Sequence, residues 1–325
     1  MGENIGRSGT IPCDVICVGL TVVDHVCAPI RKFPAPGSLI TTSKLHLTIG
    51  GCAANVSTDL AKISVPVSLV GCVGEDPFGE FVLHELRSNG VNCNHVRISN
   101  ESQTSATMVV NVQGEDRRFI HAVGANTELT GLEVSNELLE QAKILCVGGF
   151  GLNPALSGKN IAELFERAHQ HEVMTLLDVV LDDVVECAEM LVDALPHVDL
   201  FLPNCDEARL LTGQSNPDLQ ADAFLTQGAK AVVITSGPSG SLFKEQGKPA
   251  IKTPSYVVEQ IDGTGGGDAF VAGYIYGLLN EFSPAECLTY GSAMGASCVQ
   301  HAGATTGVFN VEELNQFVSE NPLVI

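Results

Sequence analysis

Short, continuously apolar segments alternate with amphipathic segments along most of the chain, and this alternation constrains the fold more than any other feature. Runs such as DVICVGL at 14–20, VSLVGCVG at 67–74 and AVVITSG at 231–237 are typical of strands buried on both faces. Amphipathic stretches at 77–90 and 158–172 predict helices between such strands. The repeated order of strand, helix and strand predicts an α/β fold: a doubly wound, mostly parallel sheet with helices on both faces.

Two segments, 22–49 and 104–123, depart from this alternation because their apolar residues alternate with polar ones and are broken by Pro and Gly. Both predict antiparallel strands, and the second predicts a hairpin that turns at 114–116. Together they predict a small sheet that can act as a lid over a cleft. No linker or internal repeat interrupts the chain, so residues 1–325 are expected to form a single domain that includes this lid.

The charge balance excludes some classes of partner. Lys+Arg 17 against Asp+Glu 38 gives a net charge of -21, which argues against binding to nucleic acid or to anionic membranes. The N-terminus lacks a signal-peptide pattern and no apolar run reaches eighteen residues, so the protein is expected in the cytoplasm. Eleven cysteines, scattered singly, favour free thiols in a reducing compartment.

The strongest local signal is IDGTGGGDAFVAGYIYGLL at 261–279. Its three consecutive glycines, Gly265, Gly266 and Gly267, leave backbone N–H groups uncovered where a helix begins, which predicts an anion hole. Asp268 lies in the first turn, where the helix dipole favours a charged carboxylate that can accept a proton from a hydroxyl. A capped turn without catalysis is the alternative explanation.

Three further segments carry polar groups at strand or helix ends. IGGCAANVSTDLAKI places Asn55 in a first helical turn, where its amide can bind a polyol hydroxyl or can serve packing alone. Asn204 and Glu207 share one helical face and can orient Mg²⁺ on phosphates, or can form a simple capping box. ITSGPSGSLF at 234–243 can admit a nucleotide or be an ordinary hairpin turn.

The order of these motifs resembles the ribokinase-like (PfkB-type) family of carbohydrate kinases from about residue 13 to residue 309. Two glycine-rich signatures, GGCAANVS and DGTGGGDAF, carry the resemblance together with NCDE between them. GEDPFG, GAN and HAGAT are similar to further family landmarks. The resemblance implies a ribokinase-like fold and an ATP-dependent kinase that phosphorylates a hydroxyl of a small sugar or sugar derivative. ATP and Mg²⁺ are the implied cofactors, with K⁺ as a candidate activator.

The resemblance also implies a role for each matching residue. Asp268 would be the general base, and Gly265, Gly266 and Gly267 would form the anion hole. The implied sugar contacts are Asp24, Gly51 and Asn55, and the implied nucleotide contacts are Asn204, Glu207, Thr235, Gly237, Gly240 and Gly303. Glu207 would hold Mg²⁺ through water, and Asp262 with the Thr264 carbonyl would hold a monovalent cation.

Some positions differ from the family pattern. Gly263 and Gly266 replace the usual Thr and Ala of the second signature without removing an N–H donor. Val22 and Cys52 replace residues that ribokinase itself uses, so the resemblance does not imply ribose as the substrate. Gly307 stands where a cation-contacting hydroxyl is common.

Two other functions fit parts of the pattern. A nucleoside kinase would share the glycines and the base, but the chain has no Trp and only four Tyr with which to stack a nucleobase. A non-catalytic sugar- or nucleotide-binding regulatory protein would be expected to have lost Asp268, Asn204 or Glu207, and all three are present. A dinucleotide-dependent dehydrogenase is disfavoured because no G-x-G-x-x-G follows the first strand.

The lid segments also predict a self-association surface. Their apolar residues cannot all be buried by so small a sheet, and a homodimer through the lid would cover those on its outer face. The alternative is a monomer in which these side chains pack inward. The residues expected on that face are Ile40, Leu45, Leu47, Met108 and Val110.

Overall fold

A computed structural model describes residues 12–115 and 118–323 of the chain. Within these residues the strands are β1 (Val15–Gly19), β2 (Val22–Ile30), β3 (Leu45–Gly50), β4 (Val67–Gly74), β5 (Asn92–Ser99), β6 (Ala106–Val112), β7 (Arg118–Ala122), β8 (Ile144–Phe150), β9 (Met174–Val179), β10 (Leu200–Phe201), β11 (Ala231–Thr235), β12 (Ser241–Glu245) and β13 (Ile251–Thr253).

The α-helices of the same residues are α1 (Cys52–Lys62), α2 (Pro77–Ser88), α3 (Asn136–Leu139), α4 (Gly158–Gln170), α5 (Val184–Ala194), α6 (Cys205–Thr212), α7 (Pro217–Thr226), α8 (Gly266–Leu279), α9 (Pro284–Val299) and α10 (Val311–Glu320). Among the described residues, none of these helices is both long enough and apolar enough to cross a membrane.

Nine strands form one large sheet in the order β13-β12-β11-β10-β9-β8-β1-β4-β5. The neighbouring strands from β11 to β5 in this order all pair in parallel, whereas the β11–β12 and β12–β13 pairs at one edge are antiparallel. The predicted mostly parallel sheet is therefore confirmed. Because these strands are parallel, their carboxyl ends all lie at the same edge of the sheet, where ligands of open α/β sheets bind.

Helices cover both faces of the large sheet. Along β1, Val15 and Cys17 belong to one hydrophobic core, while Ile16 and Val18 belong to the core on the opposite face. Because successive strand residues point to opposite faces, a continuously apolar strand must have an apolar layer on each side. This explains why the central strands lack a polar face.

The remaining four strands form a small separate sheet in the order β3-β2-β6-β7. The β6–β7 hairpin is antiparallel, but β2 and β6 pair in parallel, which corrects the expectation of antiparallel strands throughout. The reason is that β2 continues from β1 and β6 follows β5, and β1 and β5 run the same way in the large sheet. Residues 31–44 are also irregular rather than a strand, because Pro34 and Pro36 cannot donate to a ladder.

Candidate active site

A polar cavity of about 200 Å³ lies at the carboxyl edge of the large sheet. Asp178 reaches it from β9, Asn204 from the N-cap of α6 after β10, and Thr235 from the end of β11. The first turn of α8 closes it with Gly265, Gly267 and Asp268. The sheet therefore gathers side chains from four distant parts of the chain in one cleft.

Gly265 begins α8 in a left-handed conformation with φ +76°. A Cβ at this position would lie 2.2 Å from the Ala304 carbonyl oxygen, so only glycine allows the close approach of the two backbones. Gly267, by contrast, faces open space, with no atom within 4 Å of a built Cβ. Since the first-turn N–H groups of a helix have no intrahelical acceptor, this turn is suited to an anion.

Asp268 lies in that first turn and is held from the other side of the cleft. Asn55 Nδ2, on α1, donates a hydrogen bond of 2.8 Å to Asp268 Oδ2. Burial raises the pKa of Asp268 to about 6. Desolvation of the carboxylate therefore outweighs the influence of the helix dipole and of the Asn55 hydrogen bond.

Two residues beside Asp268, Cys52 and Asp178, were not among the sequence candidates. The Cys52 thiol and the carboxylates of Asp178 and Asp268 lie within 4.8 Å of one another. Burial raises the pKa of Asp178 well above its ordinary value, and burial likewise raises the pKa of the Cys52 thiol. The sequence did carry a signal for Asp178, since TLLDVV places one carboxylate inside an otherwise apolar strand.

Asn204 and Glu207 form the capping box of α6. Asn204 Oδ1 accepts from the backbone N–H of Asp206 and of Glu207, both at 2.9 Å, and Glu207 Oε2 accepts from the Asn204 N–H at 2.9 Å. The capping alternative thus describes their hydrogen bonds correctly. The same bonds hold Glu207 at the cavity wall, where burial raises the pKa of its carboxyl to about 7.

Of the candidate residues at the turn between β11 and β12, only Thr235 lines the cavity. Thr235 forms a bridge with Asn204 and lines the cavity. Gly237 and Gly240 lie in the turn beyond it and do not line the cavity. A Cβ on Gly240 would fall 2.1 Å from the Thr253 carbonyl oxygen, which gives this glycine a packing role in the turn.

Asp262, Thr264 and Gly303 meet beside the start of α8. The Asp262 carboxylate accepts from the Thr264 N–H at 2.9 Å and from the Gly303 N–H at 3.1 Å. The Thr264 carbonyl accepts from the Cys298 thiol at 3.3 Å, and the Lys62 ammonium donates to the Thr305 carbonyl in the same region. Gly303 is thereby placed next to the segment that packs against Gly265.

The small sheet directs one polar face toward this cleft. Asp24 on β2 lies so close to Gly50 that a Cβ there would fall 2.2 Å from Asp24 Oδ2. Burial raises the pKa of Asp24 to about 6. Gly51 begins α1 with φ +91°, and a Cβ there would lie 2.4 Å from the Leu20 carbonyl oxygen. Gly51 therefore sets the backbone turn that brings α1 and Asn55 to the cleft.

Three polar residues of the predicted lid hairpin, Arg117, Arg118 and His121, are candidate substrate contacts, with a solvated hairpin as the alternative. Of these, His121 lies on the same face of the sheet as Asp24, because Asp24 pairs with Thr107 and Thr107 pairs with His121. Arg118 pairs with Val110, whose side chain lines the opposite, outer face. Arg117, a third lid candidate, lies outside the described residues.

Comparison with known proteins identifies the family that the sequence motifs resemble, and the match extends along most of the chain. The model for "pfkB family carbohydrate kinase" matches residues 13–310. The chain is 27% identical to a ribokinase of Haemophilus influenzae over 93% of this chain and 97% of that one. It is 26% identical to a 5-dehydro-2-deoxygluconokinase of Clostridium tetani, over 95% of this chain and 94% of that one. Arabidopsis thaliana ribokinase, solved with ribose and ATP, superposes with a TM-score of 0.83 at 23% identity, covering 95% and 99% of the two chains.

Proposed function

Because the chain belongs to the pfkB family of carbohydrate kinases, and is thus an ATP-dependent sugar kinase, we propose that Asp268 is the base that activates the sugar hydroxyl. The observation that carries this proposal is the hydrogen bond from Asn55 to Asp268, 2.8 Å long. It joins the glycine turn that opens α1, on the sugar side, to the glycine turn that opens α8, on the phosphate side. A carboxylate at this junction can contact the hydroxyl and the phosphoryl group together.

The transfer then needs three contributions from the chain. Asp268 accepts the hydroxyl proton, and the N–H groups of Gly265, Gly266 and Gly267 stabilise negative charge on the phosphoryl oxygens. Asp24, Gly51 and Asn55 hold the sugar so that its hydroxyl points at the donor. Thr235, Gly237, Gly240 and Gly303 are proposed to contact the nucleotide.

The donor set at the phosphate side fits Mg²⁺, which takes oxygen ligands and keeps several waters. Glu207 and Asn204 stand at the cavity wall and would hold the hydrated ion, and burial raises the pKa of Glu207 to about 7. When bound, the ion would neutralise charge on the nucleotide phosphates.

Glu207→Gln is expected to raise the Mg²⁺ concentration needed for half-maximal turnover by roughly 10-fold and to lower turnover at saturating Mg²⁺, with little change in the KM for sugar. The reason is that Glu207 acts on the metal and phosphates and lies away from the sugar side. ADP formation titrated with MgCl₂ at fixed ATP measures both effects.

Asp206→Asn is the matched control, because Asp206 is in the same first turn of α6 but exposed. It should leave the Mg²⁺ dependence unchanged. A Glu207→Gln enzyme that loses sugar affinity while its Mg²⁺ dependence stays normal would place Glu207 on the sugar side instead.

The small sheet is proposed to close over the sugar as a lid and to pair with a second copy through its outer face. That face surrounds an apolar cavity of about 610 Å³ whose lining includes Ile40, Leu45, Leu47, Met108 and Val110. Leu45 is 73% exposed and Met108 53% exposed, which is unusual for large apolar side chains that share one patch. Burying this patch in a dimer would remove it from water.

Light scattering at micromolar concentration is expected to give twice the 34.2 kDa of one chain. Leu45→Glu should shift this mass to that of a monomer, since it puts a charge in the apolar patch. Val192→Glu, at an apolar position of α5 that is 64% exposed, should leave the dimer intact. A wild-type mass of one chain would contradict the dimer.

Two further roles are proposed. A monovalent cation would take oxygen ligands from Asp262 and the Thr264 carbonyl, beside the turn that begins α8, and comparing turnover in potassium and in tetramethylammonium salts tests it. The protein is proposed to work in the cytoplasm, which fits its eleven free cysteines.

A further inference from the structure

The sugar side of the cleft has hydrogen-bond acceptors that no protein group satisfies. In the described part of the chain, Asn55 Oδ1 and His121 Nε2 are both buried from solvent and have no hydrogen-bond partner. Asn55 Nδ2 donates to Asp268, which identifies the remaining side-chain atom, Oδ1, as the carbonyl oxygen. This oxygen can only accept a hydrogen bond. A buried acceptor without a donor costs free energy, which a bound group with O–H or N–H donors would recover.

The hydrogen bonds across the small sheet fix His121 Nε2 as an acceptor. Burial raises the pKa of Asp24, and hydrogen bonding to the Thr107 hydroxyl partly offsets that rise, as expected when the hydroxyl donates to the carboxylate. The Thr107 oxygen must therefore accept from His121 Nδ1, 3.0 Å away, which puts the ring proton on Nδ1. Burial lowers the pKa of His121, so the ring stays neutral and Nε2 carries only a lone pair.

Several acidic side chains lie near these acceptors. Asp24 and Asp268 repel each other, Asp178 repels both Asp268 and Glu207, and Asp182 lies within electrostatic range of His121. No lysine or arginine of the described residues forms an ion pair with Asp24, Asp178, Glu207 or Asp268.

Two basic side chains of the described residues, one on the small sheet and one on α1, are engaged with other partners. Arg118 pairs with Glu115 on the outer side of the small sheet, and Lys62 donates to the Thr305 carbonyl. A carboxylate or phosphate on the sugar would thus meet acceptors and negative charge, with none of these cations to pair with it.

Resting on the kinase function proposed above, we infer that the phosphate acceptor is an uncharged or amine-bearing polyol. Its hydroxyl or ammonium donors bind Asp24, Asn55 Oδ1 and His121 Nε2, and sugar acids and sugar phosphates are rejected. The inference separates this chain from relatives such as the 5-dehydro-2-deoxygluconokinase, to which it is 26% identical.

The test compares substrates that differ only in charge. ADP formation by the full-length enzyme is measured with ATP and Mg²⁺ on neutral pentoses and hexoses, their 2-amino derivatives, their aldonic and uronic acids, their terminal phosphates, and nucleosides. At least one neutral or amine-bearing compound should exceed every acid and phosphate by about 100-fold or more in kcat/KM, as expected for a site built from acceptors.

An acid or sugar phosphate that is turned over as well as any neutral compound would overturn the inference and leave the kinase function standing. No ADP with any compound, from enzyme that binds ATP, would overturn the kinase function and the inference with it. The two failures are therefore distinguishable.

Variants on the small sheet provide a second measurement. Asp24→Asn should lower kcat/KM for the preferred polyol. It should also reduce the ratio of kcat/KM for the polyol to kcat/KM for the matching acid by about 10-fold or more, because one negative charge is removed. His121→Leu should raise the KM for the polyol about 10-fold, because it removes one acceptor. Asp193→Asn and His95→Asn, both on exposed surfaces, are the matched controls and should change neither value.

A purely structural role for Asp24 would lower activity on the polyol and on the acid in parallel. An unchanged ratio in a folded Asp24→Asn enzyme would therefore contradict the inference. If Asp24→Asn fails to fold, an unchanged KM in His121→Leu contradicts it instead.

Discussion

Replacing Asp268 by asparagine is expected to lower kcat by a factor on the order of 10²–10⁴ while the fold and ATP binding persist. The amide oxygen of the new side chain can still accept from Asn55 Nδ2, so the 2.8 Å contact that orients this position survives. Only the ability to take the hydroxyl proton is lost. Single-turnover ADP formation, together with ATP binding by calorimetry, separates the two effects.

The pH profile provides an independent readout of the same group. Because burial raises the pKa of Asp268 to about 6, kcat/KM of the wild-type enzyme should rise as pH increases through about 6 and then level off. The asparagine variant should lack this rise.

Glu286→Gln is the matched control for a first-turn carboxylate that only caps a helix, since Glu286 occupies the corresponding turn of α9 and bonds Ser283. It should lower stability slightly and leave turnover unchanged. Near-normal turnover in a folded Asp268→Asn enzyme would refute the assignment of the base.

The second large effect is expected from Gly265→Ala. The new methyl group would lie 2.2 Å from the Ala304 carbonyl oxygen and 2.6 Å from its Cα, and backbone atoms cannot move aside as a flexible side chain could. The left-handed φ of +76° adds strain of about 1–3 kcal/mol. We expect a lower melting temperature and a loss of turnover on the order of 100-fold, because displaced N–H groups no longer face the phosphoryl oxygens.

Gly267→Ala is the control within the same turn. A Cβ there meets no atom within 4 Å, so this variant should fold with nearly wild-type stability. Thermal unfolding and ADP formation measured on both variants make the comparison. Equal melting temperatures for the two variants would contradict the close approach of the α8 turn to Ala304.

The sequence predicted those parts of the fold and site that depend on neighbouring residues. The three glycines with Asp268, and Asn204 with Glu207, are recognisable because each set lies within one turn and its local chemistry is complete. Contacts between residues far apart in the chain could not be predicted from local sequence patterns. The partner of Asp268, Asn55, is 213 positions away, and nothing in either motif indicates that they meet.

Sheet register accounts for the other omissions. Thr107 acquires its place between Asp24 and His121 only through the pairing of β2, β6 and β7, and the direction of the β2–β6 pair was predicted wrongly. Cys52 and Asp178 become neighbours of Asp268 because α1, β9 and α8 converge on one edge of the large sheet. Residue spacing within the chain carries no information on such convergence.

The parallel pairing of β2 with β6 has a consequence for how the chain reaches its native state. Residues 22–30 and 106–112 cannot pair as a local hairpin, because β3, α1, β4, α2 and β5 lie between them in the chain. Contacts of such large sequence separation form slowly, since loop closure must precede them. During synthesis on the ribosome, the small sheet can therefore close only after β4 and β5 have been made. Until then Leu45 and Met108 have neither a finished sheet nor a second copy to cover them, and uncovered apolar side chains of this kind favour aggregation of a nascent chain.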